Sequence, residues 1–494
     1  MISRRDFLQS LAKAAAAMAL GQVMNHDLLA EGMHSIEHQA GNPIEGQEFV
    51  SKRPLPKDRK FRSESVDAVI EDIKRSDIDP ELKWLFENCF PNTLDTTITF
   101  HGKRNGLPDT FIITGDIPAM WLRDSTAQVT PYIPLAKADS KLSTLIEGVI
   151  HRQTDCILID AFANAFNIDG KEASRWHQDK TAMRNELHER KWEIDSLCYA
   201  IRLAYLYWKA TGNSAFMTKP WKQAMKRIVD VFTEQQRKEN EGTYRFKREF
   251  AAWYGDFIAN DGLGLPTRKV GLIHSAFRPS DDACLFPFLI PSNFFAVTSL
   301  TQLAEMLQTD TTEKLLADRA RGLASEISAA LEIHSKKQHL TYGLCYAFET
   351  DGFGNHYFMD DGNLPSLISL PYLGAVPVTD PVYQNTRRFI LSNDHMYFFK
   401  GKAGEGYGGP HAGWEMIWHL GVIAVALTST SNEEIRKQLQ ILKSTHAGTG
   451  FMHEAFHKDD AKKFTRSWFA WANTLFGELI LKLRSERPDL LKKV

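Results

Sequence analysis

Long amphipathic runs alternate with short connectors along nearly the whole of this chain, and that alternation limits the folds open to it. Runs at 65–74, 126–138, 142–166, 193–211, 221–238, 293–308, 312–332, 381–391, 412–427, 433–444 and 466–484 carry apolar residues at three- and four-residue spacing, the period that lays a stripe along a helix. Between them, at 101–125, 170–192, 251–282, 341–366, 400–411 and 445–465, the text turns to Gly, Pro, charge and aromatics. Strand-like text is scarce, mainly 96–100, 109–114 and 343–349. Helical hairpins with the polar text gathered in alternate connectors predict an all-α ring whose connectors at one end build a single pocket. An α-solenoid would need repeats of fixed length, and no constant period recurs.

The 494 residues are 43% hydrophobic and 24% charged, the balance of a globular enzyme rather than a disordered chain. A net charge of −2 gives no electrostatic reason to expect nucleic acid or an anionic membrane as partner. At the N-terminus, Ser3-Arg4-Arg5-Asp6-Phe7-Leu8 precedes a weakly apolar run over 14–20. This resembles a twin-arginine export signal and is too short to span a bilayer. The expected organisation is therefore an export signal over 1–30, a Pro- and charge-rich leader over 31–60, and a single catalytic domain over 61–494, placed outside the cytoplasm in the periplasm. Five scattered cysteines, Cys89, Cys156, Cys198, Cys284 and Cys345, show no C-x-x-C spacing and read as buried thiols.

Three connectors carry chemistry. Gly115 to Ser125, GDIPAMWLRDS, sets Trp121 beside Arg123 and Asp124. An indole stacks on the C–H face of a sugar while an Arg–Asp pair meets its hydroxyls. An ordinary buried ion pair at a helix start would use the same residues. Ala276 to Asp282 places Asp281 and Asp282 side by side behind Arg278 and Pro279. One of them suffices to cap the following helix, and two adjacent carboxylates are expected to raise one another's pKa, as a general acid requires. The third, HEAFH at 453–457, matches the zinc-peptidase signature, with Glu478 as a conceivable third ligand. Glycines at 448 and 450 and the charged run after His457 leave little helix to carry that signature, so a loop presenting Glu454 to a pocket is the preferred reading.

Taken together, the strings 115–125, 191–200 (KWEIDSLCYA), 275–284 (SAFRPSDDAC), 346–355, 359–367, 406–413 (GYGGPHAG) and 451–479 resemble glycoside hydrolase family 125. The resemblance covers nearly all of 60–485 in the same order. It implies an (α/α)6 barrel with a few short strands in the loops, and an inverting exo-α-1,6-mannosidase that needs no metal and no cofactor. Its partner would be a mannose-containing oligosaccharide. It places the general acid on the Ser280-Asp281-Asp282 string, read here as Asp281 with Asp282 as the alternative one position on and otherwise as the neighbour that tunes it or grips a sugar hydroxyl, and the general base on Glu454. Arg123 and Asp124 would clamp the terminal mannose, with Trp121, Arg278, His411 and His453 in the same pocket. Glu193 and Asp195 fall in a family string but are as readily helix caps. Asp360-Asp361-Gly362 lacks the spacing of a calcium loop and reads as a turn. The alternatives are a zinc peptidase through 453–457, a non-catalytic carbohydrate-binding protein, and a polysaccharide lyase, which would want a Tyr or His base.

Overall fold

Twelve helices of eight or more residues occur among the described residues, 49–249 and 253–494 of a computed structural model. In chain order they are α1 (Glu64–Arg75), α2 (Pro80–Cys89), α3 (Leu122–Val129), α4 (Ser140–Ile159), α5 (Ile194–Thr211), α6 (Lys219–Gln235), α7 (Ile290–Leu307), α8 (Lys314–His334), α9 (Pro381–Ile390), α10 (His419–Leu427), α11 (Asn432–Thr445) and α12 (Ala470–Glu486). The export string and residues 31–48 of the leader lie outside the described residues.

Two kinds of helix divide the labour. Every residue of α3 and of α10 is buried, and α10, HLGVIAVAL, is apolar on all faces, which only an interior position satisfies. In α6, by contrast, Trp221, Ala224, Met225, Ile228, Val229, Phe232 and Gln235 are buried along one stripe, so one face meets the core and the other meets water. Its start is fixed by Thr218, whose hydroxyl accepts the Trp221 amide, a cap worth about 1 kcal/mol. Interior helices pack in the succession α10, α12, α3, α5 and α7, and outer partners back them: α11 on α10, α2 on α12 and α8 on α7.

Several boundaries differ from the sequence expectation for local reasons. The helix expected over 126–138 begins at Leu122 and gives way after Val129 to a tighter 3₁₀ turn over Thr130–Leu135. Pro131 and Pro134 remove the amide donors an α-helix would need there. The run at 142–166 stops at Ile159, because Ala165–Phe166 pairs antiparallel with Met120–Trp121. The run at 412–427 becomes helical only at His419, since Met416–Trp418 is taken up by pairing with Ala455–His457. Helix α2 was absent from the expectation. Residues 49–60 belong to the body rather than to a linker: the Trp84 indole donates to the Val50 carbonyl at 2.7 Å, and Arg53 grips Asp95 at 2.8 and 3.1 Å.

One glycine joins the two ends of this body. A Cβ on Gly115 would stand 2.2 Å from the Trp468 carbonyl oxygen, and its φ of 137° is open only to glycine. The contact lets Gly115 bridge to Phe469 and brings the 115–125 string against the start of α12. Four of the five cysteines are buried, and Cys284 is half-buried.

Candidate active site

Three of the interior helices, α3, α10 and α12, meet one cavity by their N-terminal ends. Trp121 immediately precedes α3, Trp418 precedes α10 and Phe469 precedes α12. All three line a space of about 400 Å³ that also takes in Asp281 and Asp282, from the loop leading to α7, and Glu454. Aligned peptide dipoles leave partial positive charge at such ends, a fitting floor for carboxylates. Asp281 and Glu454, far apart in the chain, thus face a single cavity.

Arg123, in the first turn of α3, is the hub of one wall. Its Nη1 donates to Asp124 at 2.7 Å, Nε to Asp195 at 3.1 Å, and Nη2 to both Glu193 at 3.3 Å and Asp281 at 3.0 Å. The guanidinium, which also lines the cavity, therefore bonds to four carboxyl groups. Glu193 is the residue before α5, yet its side chain caps nothing; it reaches Arg123 and accepts from Ser196 at 2.9 Å. Removing Arg123 would strand buried carboxylates at a cost of about 3–5 kcal/mol.

The paired acids point apart. Asp281, at φ 66°, turns to Arg123 and to Asn164 Nδ2 at 3.2 Å, while Lys191 Nζ donates to its backbone carbonyl at 2.8 Å. Against burial, which would raise it, the Arg123 charge holds the Asp281 carboxyl well below the usual range. Asp282 turns to the Trp253 indole at 2.9 Å and to His411 Nδ1 at 3.0 Å, and although burial works the other way these bonds lower it too. The expected mutual rise of the two neighbours is thus overturned, because each finds its own cation or donor. His411 is pushed up to about 9 by Asp282 in spite of burial, so it is an imidazolium at neutral pH.

Behind this loop, Ser280 donates to Asp361 at 2.6 Å and Asn363 Nδ2 to the Pro279 carbonyl at 3.0 Å. Asp360 is fully buried and accepts the amides of Leu367 and Ile368 at 2.8 and 3.1 Å. The 359–367 string is therefore a brace for the acid loop. A Cβ on Gly409 would lie 2.3 Å from Asp361 Oδ1, so this brace leaves room for glycine alone.

Glu454 is presented differently. It precedes the strand Ala455–His457, its backbone carbonyl accepts the His419 amide at 3.2 Å, and Arg466 Nη1 stands 3.7 Å from Oε1. Residues 453–457 are not helical, so the zinc-peptidase geometry is not formed. His453 stacks on Phe464 at 3.7 Å between ring centres, with Nε2 on the Thr449 hydroxyl, whereas His457 faces Glu415 and Glu478 meets the Tyr372 hydroxyl.

Of the residues expected in the pocket, Trp121, Arg123, Asp124, Asp281, Asp282, His411 and Glu454 line it. Two do not. His453 is fully buried behind the strand, and Arg278 turns away to Glu349 at 2.6 Å. The connector aromatics Trp176 and Trp253 wall one side, with Arg248 stacked over Trp176 at 3.7 Å and bonded to Asp179 and Glu189. Lys191, Arg248 and Arg466 also line the cavity and had no signal beyond their charge; Lys191 and Arg466 sat in strings already singled out, and Arg248 did not.

Carboxylates and tryptophans lining one cavity on a helical scaffold are the equipment of a glycoside hydrolase. Comparison with known proteins gives the particular kind. The metal-independent alpha-mannosidase model, GH125, matches residues 79–481. The meiotically up-regulated gene 157 protein of Schizosaccharomyces pombe is 42% identical over 459 residues, with 90% of each chain covered. A solved metal-independent alpha-mannosidase of Streptococcus pneumoniae, in a non-productive complex with alpha-1,6-mannobiose, is 39% identical with a TM-score of 0.83 over 87% of this chain and 100% of that one. The chain belongs to glycoside hydrolase family 125, the metal-independent alpha-mannosidases.

Proposed function

We propose that this enzyme is an inverting exo-α-1,6-mannosidase on an (α/α)6 barrel, removing single mannose units from the non-reducing end of mannose-containing oligosaccharides. The observation that carries the reading is the shared cavity: Asp281 and Glu454 both face it, together with Trp121, Trp418 and Trp253. The α-1,6-mannobiose bound by the Streptococcus relative supports the linkage. The succession of interior helices α10, α12, α3, α5 and α7, each meeting the next, supports the barrel.

In this reading Asp281 protonates the departing O6 while Glu454 takes a proton from a water that attacks C1 from the opposite face. Inversion requires room for that water, which corresponds to a carboxyl separation of about 6.5–9.5 Å. Trp253 and Trp176 close one side, so a chain would enter end-on. Digestion of α-1,6-linked mannan oligomers of known length tests exo action. Free mannose should appear from the first time point with each oligomer shortened by one unit; oligomers released without mannose would refute it.

A further inference from the structure

General acid catalysis by Asp281 poses a difficulty that the surrounding residues resolve. Asp281 lies beside a guanidinium that favours its carboxylate, yet a general acid has to hold a proton. The proton has a place nearby. Asn164 Nδ2 stands 3.2 Å from Glu193 Oε1 and 3.2 Å from Asp281 Oδ1. Arg123 Nη2 likewise reaches both side chains, at 3.3 and 3.0 Å. Two donors reach the same two carboxyl groups, and a carboxyl set beside a carboxylate holds its proton more tightly, as Asp281 raises Glu193.

Charge counting leads to the same point. Asp124, Glu193, Asp195 and Asp281 surround the single Arg123 guanidinium. The Glu193 and Asp195 side chains are 0% exposed, whereas Asp281 is 22% exposed. Lys191 and His411 also act on Asp281 and Arg466 on Asp124, but the fully buried Glu193 and Asp195 rely on Arg123, which they share, and an uncompensated charge there costs several kcal/mol. Some of these groups therefore keep their protons. Burial pushes Glu193 well above the usual carboxylate range. On Glu193, Oε2 already accepts from Ser196 and Arg123, which leaves Oε1, the oxygen beside Asn164 and Asp281, to bear the hydrogen.

We infer that Glu193 is a proton-holding positioning residue for the general acid, sharing one proton with Asp281 and passing it across as the glycosidic bond breaks. The inference rests on the mannosidase reading above. In the step, the Glu193 O–H bond breaks as an Asp281 O–H bond forms. Asp281 then gives that proton to O6, which takes the electron pair of the C1–O6 bond. The water oxygen bonds to C1 and its proton goes to Glu454. The Glu193–Asp281 pair next regains a proton from solvent through the partly exposed Asp281, and Glu454 releases one.

The pair's titration is set by its whole surroundings. Arg123 and Asp124 face it from α3, and Asp195 from α5. Glu189 and Lys191 face it from the connector before α5, and His188 stands beside them. Asp282, Cys284 and His411 face it from the other side, with Arg466 opposite Asp124.

The test compares two substrates across pH. α-1,6-Mannobiose needs a protonated leaving group, whereas 2,4-dinitrophenyl α-mannoside does not. For Glu193→Gln, kcat/KM on mannobiose at pH 7 should fall about 10²–10⁴-fold, and on the dinitrophenyl mannoside by less than about 10-fold. The alkaline limb of the mannobiose profile should move down by about one pH unit or more. Equal losses on both substrates with an unmoved limb would overturn the inference. Should that variant not fold, Ser196→Ala serves. Losing a donor to the Glu193 carboxylate should raise the alkaline limb by about half a unit, and an unmoved or lowered limb would overturn the inference. Wild-type enzyme that cleaves neither substrate refutes the mannosidase reading itself, a result separable from both.

Discussion

Asp281 and Glu454 face the same cavity from walls of opposite construction. Asp281 stands over a buried network in which one guanidinium, one amide and four carboxyl groups fix each other at 2.7–3.3 Å. Glu454 comes from the turn before a three-stranded sheet, and its nearest cation is Arg466 at 3.7 Å. The two jobs proposed for them differ in the same way. An acid needs a proton stored close by, and on the proposed mechanism the buried carboxyls around Arg123 supply it. The proposed base, Glu454, faces the cavity with Arg466 beside it. Arg466 itself is held away from Glu454 by Asp116, at 2.9 and 2.5 Å.

Substitutions at the two walls should break along this line. On the proposed mechanism Glu454→Gln removes the base, so turnover of both mannobiose and 2,4-dinitrophenyl α-mannoside should drop about 10²–10⁴-fold, as steady-state rates would show. Asp281→Asn should cost as much on mannobiose but less than about 10-fold on the dinitrophenyl substrate, whose leaving group departs without a proton. Equal sensitivity of the two variants to the leaving group would erase the distinction between the walls.

A smaller effect concerns stability. His411 is raised from 6.5 to about 9 by Asp282, against the pull of burial. A group whose folded pKa is raised contributes stability that is complete below the unfolded value and lost as pH climbs through the folded one. Thermal melts should therefore show wild-type Tm falling more steeply than that of His411→Gln between pH 6.5 and pH 10. Parallel curves would mean that the His411–Asp282 pair adds nothing on the acid wall.

Much of the scaffold was legible because long helices with one apolar stripe announce themselves. Helix α6 shows its stripe plainly, although its start at Lys219, behind the Thr218 cap, lies two residues before the run read at 221–238. Helix α2 escaped because Trp84, Leu85 and Phe86 are all buried, so no stripe separates an inside from an outside. The errors at 142–166 and 412–427 share one cause: apolar text continues past the helix into two- and three-residue strands that only tertiary pairing reveals.

In the site, the residue types were legible and their orientations were not. Asp281 and Asp282 are adjacent in sequence, but a φ of 66° at Asp281 sends one carboxyl to Arg123 and leaves the other for His411. Glu193 and Asp195 looked like caps because they open a helix; their carboxyls instead meet an arginine from another helix, a partnership with no trace in local spacing. His453 looked like a pocket residue through its neighbour Glu454, and the strand at 455–457 buries it behind.

The most direct test of the whole account is proton NMR of α-1,6-mannobiose hydrolysis, recorded before the released sugar mutarotates. Acid and base acting from opposite walls on one ring predict β-mannose as the first anomer seen. α-Mannose appearing first would mean that no water passes between Asp281 and Glu454, and the division of labour between the two walls would be wrong.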